Sequence, residues 1–192
     1  MRLFIAVDPP AGAVAHLRAF VTSVRSAVDP EVSALRWGDP AQWHLTLTFC
    51  GDVDERVAGR LATRLERAAR RHPPLTLKFS GGGAFPRPAR AGVLWTGVTG
   101  DVDALRRLAD STSAAARREA IAVDDRRYRP HLTLARVSPA TDLRGVADRL
   151  TPYAGPQWEA QEIHLVHSRL GAGEGRRARH ERIGTWPLAY QA

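Results

Sequence analysis

Two short segments of the chain share one alternating pattern. The first is His44-Leu45-Thr46-Leu47-Thr48-Phe49, and the second is His131-Leu132-Thr133-Leu134-Ala135-Arg136. In both segments polar or small residues alternate with apolar ones, which is the period of a half-buried β-strand. The pattern therefore predicts two strands, each with one face toward the core and the other free to meet a ligand.

The alternation also assigns side chains to the faces of these two strands. It places His44, Thr46 and Thr48 on one face of the first strand, and it places His131 and Thr133 together in the second. Each strand then carries an imidazole and a hydroxyl about 7 Å apart, from a rise of roughly 3.3 Å per residue. If the two strands lie side by side, two imidazoles and two hydroxyls meet in one cleft.

The segments around both motifs resemble the 2H phosphoesterases, a family named for two His-x-Thr-x motifs. Within that family the chain is most similar to the RNA 2′,3′-cyclic phosphodiesterases, historically called 2′-5′ RNA ligases. The resemblance covers nearly the whole chain and includes, besides the two motif strands, the segments Arg2–Val7, Gly83–Pro86, Val93–Trp95 and Ser168–Gly171. One such motif is weak evidence, whereas two in order inside matching flanks are strong evidence.

The resemblance implies an α+β fold. It implies two similar lobes with antiparallel-rich sheets related by a pseudo-twofold axis, with the motif strands central and the active-site cleft between the lobes. We expect one bilobal domain over residues 1–192, with approximate lobes 1–90 and 91–192. The strand and helix patterns alternate along the chain, which by itself also allows a parallel sheet.

Hydrophobic periodicity predicts the other elements of the fold. Asp8 offers an N-cap for the first helix, and the glycine- and proline-rich segment Gly81–Pro88 predicts a long loop. The predicted helices cover Val14–Val28, Val57–Ala68, Val102–Ala116 and Leu143–Leu150; the other strands cover Leu3–Val7, Leu35–Trp37, Leu75–Phe79, Val93–Val98, Glu162–Leu170 and Arg177–Pro187, with a turn at Gly171–Gly175.

Hydrolysis of a ribose 2′,3′-cyclic phosphate requires a base, an acid, and donors for the phosphoryl oxygens. Histidine suits both proton roles because its unperturbed pKa is about 6.5. The resemblance assigns His44 as the proton donor to the 3′-oxygen and His131 as the proton acceptor from water, without a metal or other cofactor. Thr46 and Thr133 would donate hydrogen bonds to the non-bridging oxygens. From sequence alone, either histidine could take either role.

Four further residues are candidates for substrate binding. Arg136 matches a family arginine proposed to bind phosphate, but strict alternation puts it on the face opposite His131 unless the strand bulges or ends there. Arg129 and Tyr128 could contact a backbone phosphate and stack on a base, and Phe85 is a second stacking candidate. A structural role is an equal alternative for each of the four.

The charge of the chain indicates a polyanionic partner. Its net charge is +8 and its pI is about 11.0, which favours nucleic acid. The only cysteine, Cys50, excludes internal disulfides and cysteine-based metal clusters, and it favours a reducing compartment. The apolar start, Leu3–Val7, is too short for a signal peptide or a membrane span. We expect a monomer in the cytoplasm, with no membrane partner, acting on RNA that ends in a 2′,3′-cyclic phosphate or on cyclic nucleotides.

The remaining histidines and the cysteine suggest no second site. His16, His72 and His180 are predicted at the surface, and two further histidines on the predicted strand Glu162–Leu170 are three positions apart and face opposite sides. Cys50 shares the parity of the first motif histidine, but nothing in the sequence suggests a base beside it, so an unreactive thiol is expected.

Two alternative functions fit the same residues. The histidines could join or cleave 2′-5′ linkages, because microscopic reversibility does not exclude ligation. The chain could also be a non-catalytic module that binds RNA or nucleotides in a basic cleft. Replacing a motif histidine separates these functions, since it should abolish turnover but leave binding largely intact.

Overall fold

The computed structural model describes residues 1–27, 34–173 and 178–189. The predicted end of the first helix near Asp29 and part of the turn predicted at Gly171–Gly175 lie outside these ranges. The strands are β1 (Arg2–Val7), β2 (Arg36–Trp37), β3 (Leu45–Asp52), β4 (Leu75–Arg87), β5 (Arg90–Gly100), β6 (His131–Thr141), β7 (Ala154–Ala160), β8 (Glu162–Arg169) and β9 (Arg179–Pro187). The helices are α1 (Ala11–Ser26), α2 (Glu55–Ala69), α3 (Val102–Arg117) and α4 (Arg144–Leu150).

The strands form two sheets in which every pairing is antiparallel. One sheet has the order β3-β1-β8-β9, and the other has the order β2-β6-β5-β4-β7. The α+β fold with antiparallel sheets is therefore confirmed, and the parallel alternative is wrong. Each sheet contains one motif strand, β3 or β6.

The two sheets do not follow the approximate division of the chain at residue 90. The first sheet combines β1 and β3 with β8 and β9 from the other end of the chain, and the second takes β2 and β4 from the first half. The motif strands are also not central. Strand β3 is at the edge of its sheet and β6 is second from the edge. The site thus lies where neighbouring edges of the two sheets approach each other.

The helices cover the sheets with apolar stripes. Helix α2 begins after Asp54, whose carboxylate accepts a hydrogen bond of 2.8 Å from the backbone N–H of Arg56. Its buried positions include Leu61 and Leu65, at helical spacing. Helix α1 lacks such a cap, because Pro10 is its N-cap residue; the predicted capping role of Asp8 is wrong. None of the helices in the described residues is long and apolar enough to cross a membrane.

The segment predicted as the loop Gly81–Pro88 is mostly strand. Strand β4 runs through it to Arg87 and pairs with β5. Gly82 and Gly83 serve close packing rather than a turn: a Cβ atom on Gly82 would lie 2.5 Å from Cβ of Leu150, and one on Gly83 would lie 2.5 Å from the indole of Trp95. Glycine is needed here because neighbouring groups approach the backbone. Gly81 instead has a positive φ of 63° at the register shift between Ser80 and Gly82.

Candidate active site

A cavity of about 980 Å³ lies between the two motif strands. Among the residues that line it are His44, Thr46, His131, Thr133 and Arg136. The structure thus brings together both imidazoles, the two hydroxyls two positions further on, and the candidate phosphate-binding arginine. These five side chains come from different sheets, so the arrangement depends on the approach of β3 to β6.

Strand β6 carries a bulge that brings Arg136 to the cavity. In its pairing with β5, Leu94 is opposite Ala135 and Trp95 is opposite Thr133, which leaves Leu134 as the extra residue. Leu134 and Ala135 are both buried, so the alternation changes phase between them. Arg136 consequently shares the face of Thr133. The face expected from strict alternation is wrong, and the bulge is the reason.

Strand β3 has a bulge at the matching position. Ile5 is opposite Thr48 and Ala6 is opposite Thr46, which leaves Leu47 as the extra residue. Thr48 is therefore buried, and its hydroxyl hydrogen-bonds the hydroxyl of Thr112 at 2.7 Å. The prediction that Thr48 shares the face of Thr46 is wrong.

The bulge at Leu47 also reverses the predicted faces of the next two residues of β3, Phe49 and Cys50. Phe49 is 47% exposed and lines the cavity, although strict alternation predicted it on the core face. Cys50 is buried, and burial raises the pKa of its thiol to about 12. The thiol is therefore protonated at neutral pH, and the expectation of an unreactive cysteine fits this environment.

Both motif rings are held in the same way. His44 Nδ1 lies 2.8 Å from the carbonyl oxygen of Gln42, and His131 Nδ1 lies 2.7 Å from that of Arg129. A carbonyl oxygen only accepts, so each Nδ1 carries the hydrogen and donates it. In the neutral form each Nε2 then has a lone pair, as a general base requires, and in the protonated form it carries a proton to donate.

Burial and charge shape the titration of both motif histidines. Burial lowers the pKa of His44, and the Gln42 carbonyl and the carboxylate of Asp8 partly offset this. Burial likewise lowers the pKa of His131; the Arg129 carbonyl partly offsets this, and the guanidinium groups of Arg136 and Arg129 lower it further. The two imidazoles therefore differ in their charged neighbours: a carboxylate acts on His44 and guanidinium groups act on both.

Aromatic rings support both motif histidines. Phe4 stacks on His44 with ring centroids 4.6 Å apart, and Phe85 packs edge-to-face on His131 at 4.9 Å. Phe85 is also stacked on Trp95 and is not among the cavity-lining residues. Its position is therefore that of a support for the His131 ring rather than of a surface for a base.

The other two candidates for substrate binding lie outside the cavity lining. The guanidinium of Arg129 lies over the Phe85 ring, 4.7 Å from its centroid. Tyr128 packs against the hydrophobic core, and burial raises the pKa of its hydroxyl above the usual range. Tyr128 is thus partly buried against the core with its hydroxyl enclosed, and its ring lies away from the cavity lining.

His180 is a residue of the site that the sequence did not reveal. It was predicted at the surface, but it lines the cavity, and its ring packs edge-to-face on His44 with centroids 5.1 Å apart. Its backbone N–H donates to the side-chain oxygen of Gln42 at 2.9 Å. Burial and the neighbouring His44 lower the pKa of His180 to about 4. Only the pairing of β9 in the first sheet brings it here, and no local pattern signals that.

The prediction that His16 and His72 lie at the surface is partly correct. His16 is exposed and contacts the Tyr153 hydroxyl through Nδ1, and His72 is half-buried beside Ser111. Across residues 1–27, 34–173 and 178–189, no group of three or more His, Cys, Asp or Glu side chains has the arrangement of a metal site.

Known proteins resemble this chain in sequence. A family model described as the 2′-5′ RNA ligase superfamily matches residues 7–172. A protein of Aeropyrum pernix named RNA 2′,3′-cyclic phosphodiesterase is 38% identical over 124 residues, which are 65% of this chain and 69% of the relative. A protein of Archaeoglobus fulgidus with the same name is 31% identical over 169 residues, or 85% of this chain and 86% of the relative.

Solved structures resemble the whole fold. A crystal structure of a Thermus thermophilus protein has a TM-score of 0.78 at 26% identity and covers 100% of both chains. The crystal structure of E. coli LigT complexed with 3′-AMP has a TM-score of 0.77 at 26% identity and covers 98% of both chains.

Proposed function

The chain belongs to the 2′-5′ RNA ligase superfamily, and from this premise we propose that it hydrolyses RNA 2′,3′-cyclic phosphate ends to 2′-phosphomonoesters. One observation carries the proposal: two imidazoles, each donating through Nδ1 to a backbone carbonyl, line one cavity with two hydroxyls and a guanidinium. The names of the relatives from Aeropyrum and Archaeoglobus support the same reaction.

The reaction requires one proton to be taken up and one to be supplied. In the proposed mechanism His131 Nε2 removes a proton from water, whose oxygen attacks phosphorus as the bond to the ribose 3′-oxygen breaks. His44 Nε2 gives its proton to that departing 3′-oxygen, and the phosphate stays on the 2′-oxygen. A proton then passes from His131 back to His44 through solvent, which restores the starting state.

The charges around the two rings support this assignment. Asp8 favours the protonated form of His44, as an acid needs. Arg129 favours the neutral form of His131 alone, as a base needs, whereas Arg136 favours the neutral form of both imidazoles. The same Arg136 lines the cavity and would bind a phosphoryl oxygen, with the hydroxyls of Thr46 and Thr133 donating to the non-bridging oxygens.

The proposal includes the partners and the place of action. The substrates would be RNA ends or cyclic nucleotides, and the complex of E. coli LigT with 3′-AMP is consistent with a nucleotide in this cavity. The proposed monomer would act in the cytoplasm, which a single buried thiol supports. We also propose that residues 1–192 form one domain.

A single assay tests the reaction. Wild type, His44→Ala and His131→Ala are incubated with a short RNA that ends in a 2′,3′-cyclic phosphate, with EDTA present. His72→Ala, which changes a histidine outside the cavity, is the matched control. Wild type and the control should form a 2′-phosphate, and each motif variant should lose about 100-fold to 10,000-fold in kcat.

The alternatives predict other results. RNA binding without turnover in wild type would identify a binding module and overturn the proposed hydrolysis. Joining of 2′-5′ ends faster than hydrolysis would favour the ligase activity. Full activity in His44→Ala or His131→Ala would show that the proposed acid or base is wrong.

A further inference from the structure

The two motif strands differ at the second residue after each bulge. Phe49 is two residues beyond the bulge at Leu47 in β3, and Arg136 is two residues beyond the bulge at Leu134 in β6. Both side chains line the cavity. The related positions therefore carry different chemistry, a guanidinium at one and an aromatic ring at the other.

Phe49 is one of a small number of large exposed apolar side chains. In the described residues these are Met1, Phe49, Leu170 and Ile183. Phe49 is 47% exposed and Leu170 is 68% exposed, and both line the catalytic cavity. Apolar surface in a cleft rimmed by polar groups marks a binding site more often than scattered exposed residues do.

A cation accompanies the exposed ring. The guanidinium of Arg2 lies over the Phe49 ring, 4.9 Å from its centroid, and Arg2 also lines the cavity. An aromatic ring beside a guanidinium is a combination that binds single-stranded nucleic acid, because the ring stacks on a base and the cation contacts phosphate. The chemistry on this rim thus matches a nucleotide better than a purely apolar ligand.

We propose that Phe49, Arg2 and Leu170 form a subsite for the nucleotide that precedes the cyclic phosphate in an RNA chain. Its base would stack on Phe49, and Arg2 would contact the phosphate that links it to the last nucleotide. This inference rests on the proposed function, because the cyclic phosphate is taken to lie between the motif histidines.

Distance and volume both favour the preceding nucleotide over the last one. Phe49 is five residues beyond His44, and because Leu47 is the extra residue of the bulge these residues span about four steps of the strand, or roughly 13 Å. The base of the last nucleotide is attached to the same ribose as the cyclic phosphate, so it stays nearer the histidines. The cavity volume of about 980 Å³ is at the upper end of the range for small-molecule sites and offers room for more than one nucleotide.

Matched substrates test the subsite. Adenosine 2′,3′-cyclic phosphate has no preceding nucleotide, and the adenosine dinucleotide with the same end has one. A third substrate is the dinucleotide whose first nucleotide lacks its base. For wild type, the KM of the full dinucleotide should be about 10-fold below that of the dinucleotide without its first base, since stacking on one base supports a difference of this size. The KM of the mononucleotide should be higher still, because it also lacks the phosphate that Arg2 would contact.

Variants then assign the effect to its residues. Phe49→Ala should reduce the KM advantage of the dinucleotide about 10-fold, Phe49→Leu should do nearly the same, and Phe49→Trp should keep the advantage. The control is Ile183→Ala, because Ile183 is 44% exposed and outside the cavity lining. Arg2→Ala should weaken binding of both dinucleotides, and Arg67→Ala on α2 is its control of equal charge.

The outcomes separate the subsite from the catalytic proposal. Equal KM values of wild type for the dinucleotide with and without its first base would overturn the subsite. An unchanged advantage in Phe49→Ala and Phe49→Leu would overturn it as well. Binding of a fluorescently labelled dinucleotide product is measured in parallel for the same variants. If wild type hydrolyses nothing, the proposed function fails, while tighter binding by wild type than by Phe49→Ala would still support the subsite.

Discussion

The charges beside the two motif histidines differ more than their hydrogen bonds do. Asp8 raises the pKa of His44, whereas the charged groups that act on His131 in the described part of the chain, Arg136 and Arg129, lower it. Asp8 itself forms a salt bridge with Arg182, in which Oδ2 of Asp8 lies 2.5 Å from Nη2 of Arg182. This carboxylate lies outside the motif, and together with Arg129, which acts on His131 alone, it makes the two imidazoles unequal.

Asp8→Asn should narrow the pH range of activity from its alkaline side. Without the carboxylate, the pKa of His44 falls further, because Arg136 and His131 still oppose its protonation. A proton donor with a lower pKa loses its proton at lower pH, so the alkaline limb of kcat/KM should move down by up to about one pH unit. The measurement is kcat/KM across pH with a cyclic mononucleotide.

Glu162→Gln is the matched control for this change. Both carboxylates lie near the same ring: Glu162 Oε1 is 3.6 Å and Asp8 Oδ2 is 3.8 Å from His164 Nε2. Glu162, however, is not among the groups that shift the pKa of His44. The control should leave the alkaline limb in place. A shift of the acidic limb alone in Asp8→Asn would instead show that Asp8 acts on the base, and the proposed roles of the histidines would be reversed.

At the scale of elements, one extra residue in each motif strand decides which side chains face the site. The sequence predicted the strands and placed the two histidines and the next threonines correctly on one face. Beyond Leu47 and Leu134 the phase changes, and the predicted faces of Thr48 and Arg136 are wrong. A bulge depends on how the neighbouring strand pairs, so alternation within one segment contains no signal for it.

Loss of the hydroxyl should reduce mainly activity at Thr46 and mainly stability at Thr48. Thr48 hydrogen-bonds Thr112 and Ser113 in the core, so Thr48→Val should lower the free energy of unfolding by about 1–3 kcal/mol. Thr46 lines the cavity, so Thr46→Val should reduce kcat about 100-fold and change stability little. Urea unfolding and single-substrate kinetics measure the two effects. Strong loss of activity in correctly folded Thr48→Val would contradict the assignment of faces.

The glycines of β4 illustrate a second limit of sequence patterns. A run of glycines ordinarily indicates a turn, but the loop that it predicted over Gly81–Pro88 is wrong, because β4 continues to Arg87. In the structure, the side chains that leave no room for a Cβ atom on Gly82 and Gly83 are those of Leu150 and Trp95. Leu150 is on α4, which is far away along the sequence, and Trp95 is on the neighbouring strand β5. Contacts of this kind are set by tertiary packing, so the local sequence cannot predict them.

Gly82→Ala should destabilise the fold, whereas Gly59→Ala should not. The new methyl group on Gly82 would lie 2.5 Å from Leu150 and 2.8 Å from the backbone oxygen of Trp95, so we expect a loss of about 2 kcal/mol or more. Gly59 lies within α2 with no atom inside 4 Å of an added Cβ. Its replacement should stabilise by roughly 0.5–1 kcal/mol. Equal unfolding free energies for both variants would contradict the packing described for β4.

At the scale of the whole molecule, the first and last strands of the described residues, β1 and β9, lie in one sheet. Strands β8 and β9 join β1 and β3, which brings His180 beside His44. The family resemblance predicted the α+β class and the cleft, but the approximate lobes 1–90 and 91–192 do not describe this pairing. Strand order is decided by contacts between distant segments, and neither composition nor periodicity contains that information.

Stability should fall as the solution becomes acidic, because burial lowers the pKa of several histidines at once. Burial is the largest cause for each of them: His44, His72, His131, His164 and His180. In the unfolded chain these groups titrate near the ordinary value of about 6.5. Below that pH the unfolded state binds more protons than the folded state, so acidification favours unfolding.

The loss should begin near pH 6.5 and continue toward about 4, the value to which the pKa of His180 is lowered. Urea unfolding from about pH 7.5 to about pH 5 should show the free energy of unfolding decrease by about 1–3 kcal/mol, after allowance for partial solvent screening. Because burial is the main cause, about 0.5 M NaCl should leave most of the decrease in place. His180→Phe should make the curve less steep. A free energy of unfolding that rises toward pH 5 would mean that these imidazoles gain more from charged partners than they lose by burial.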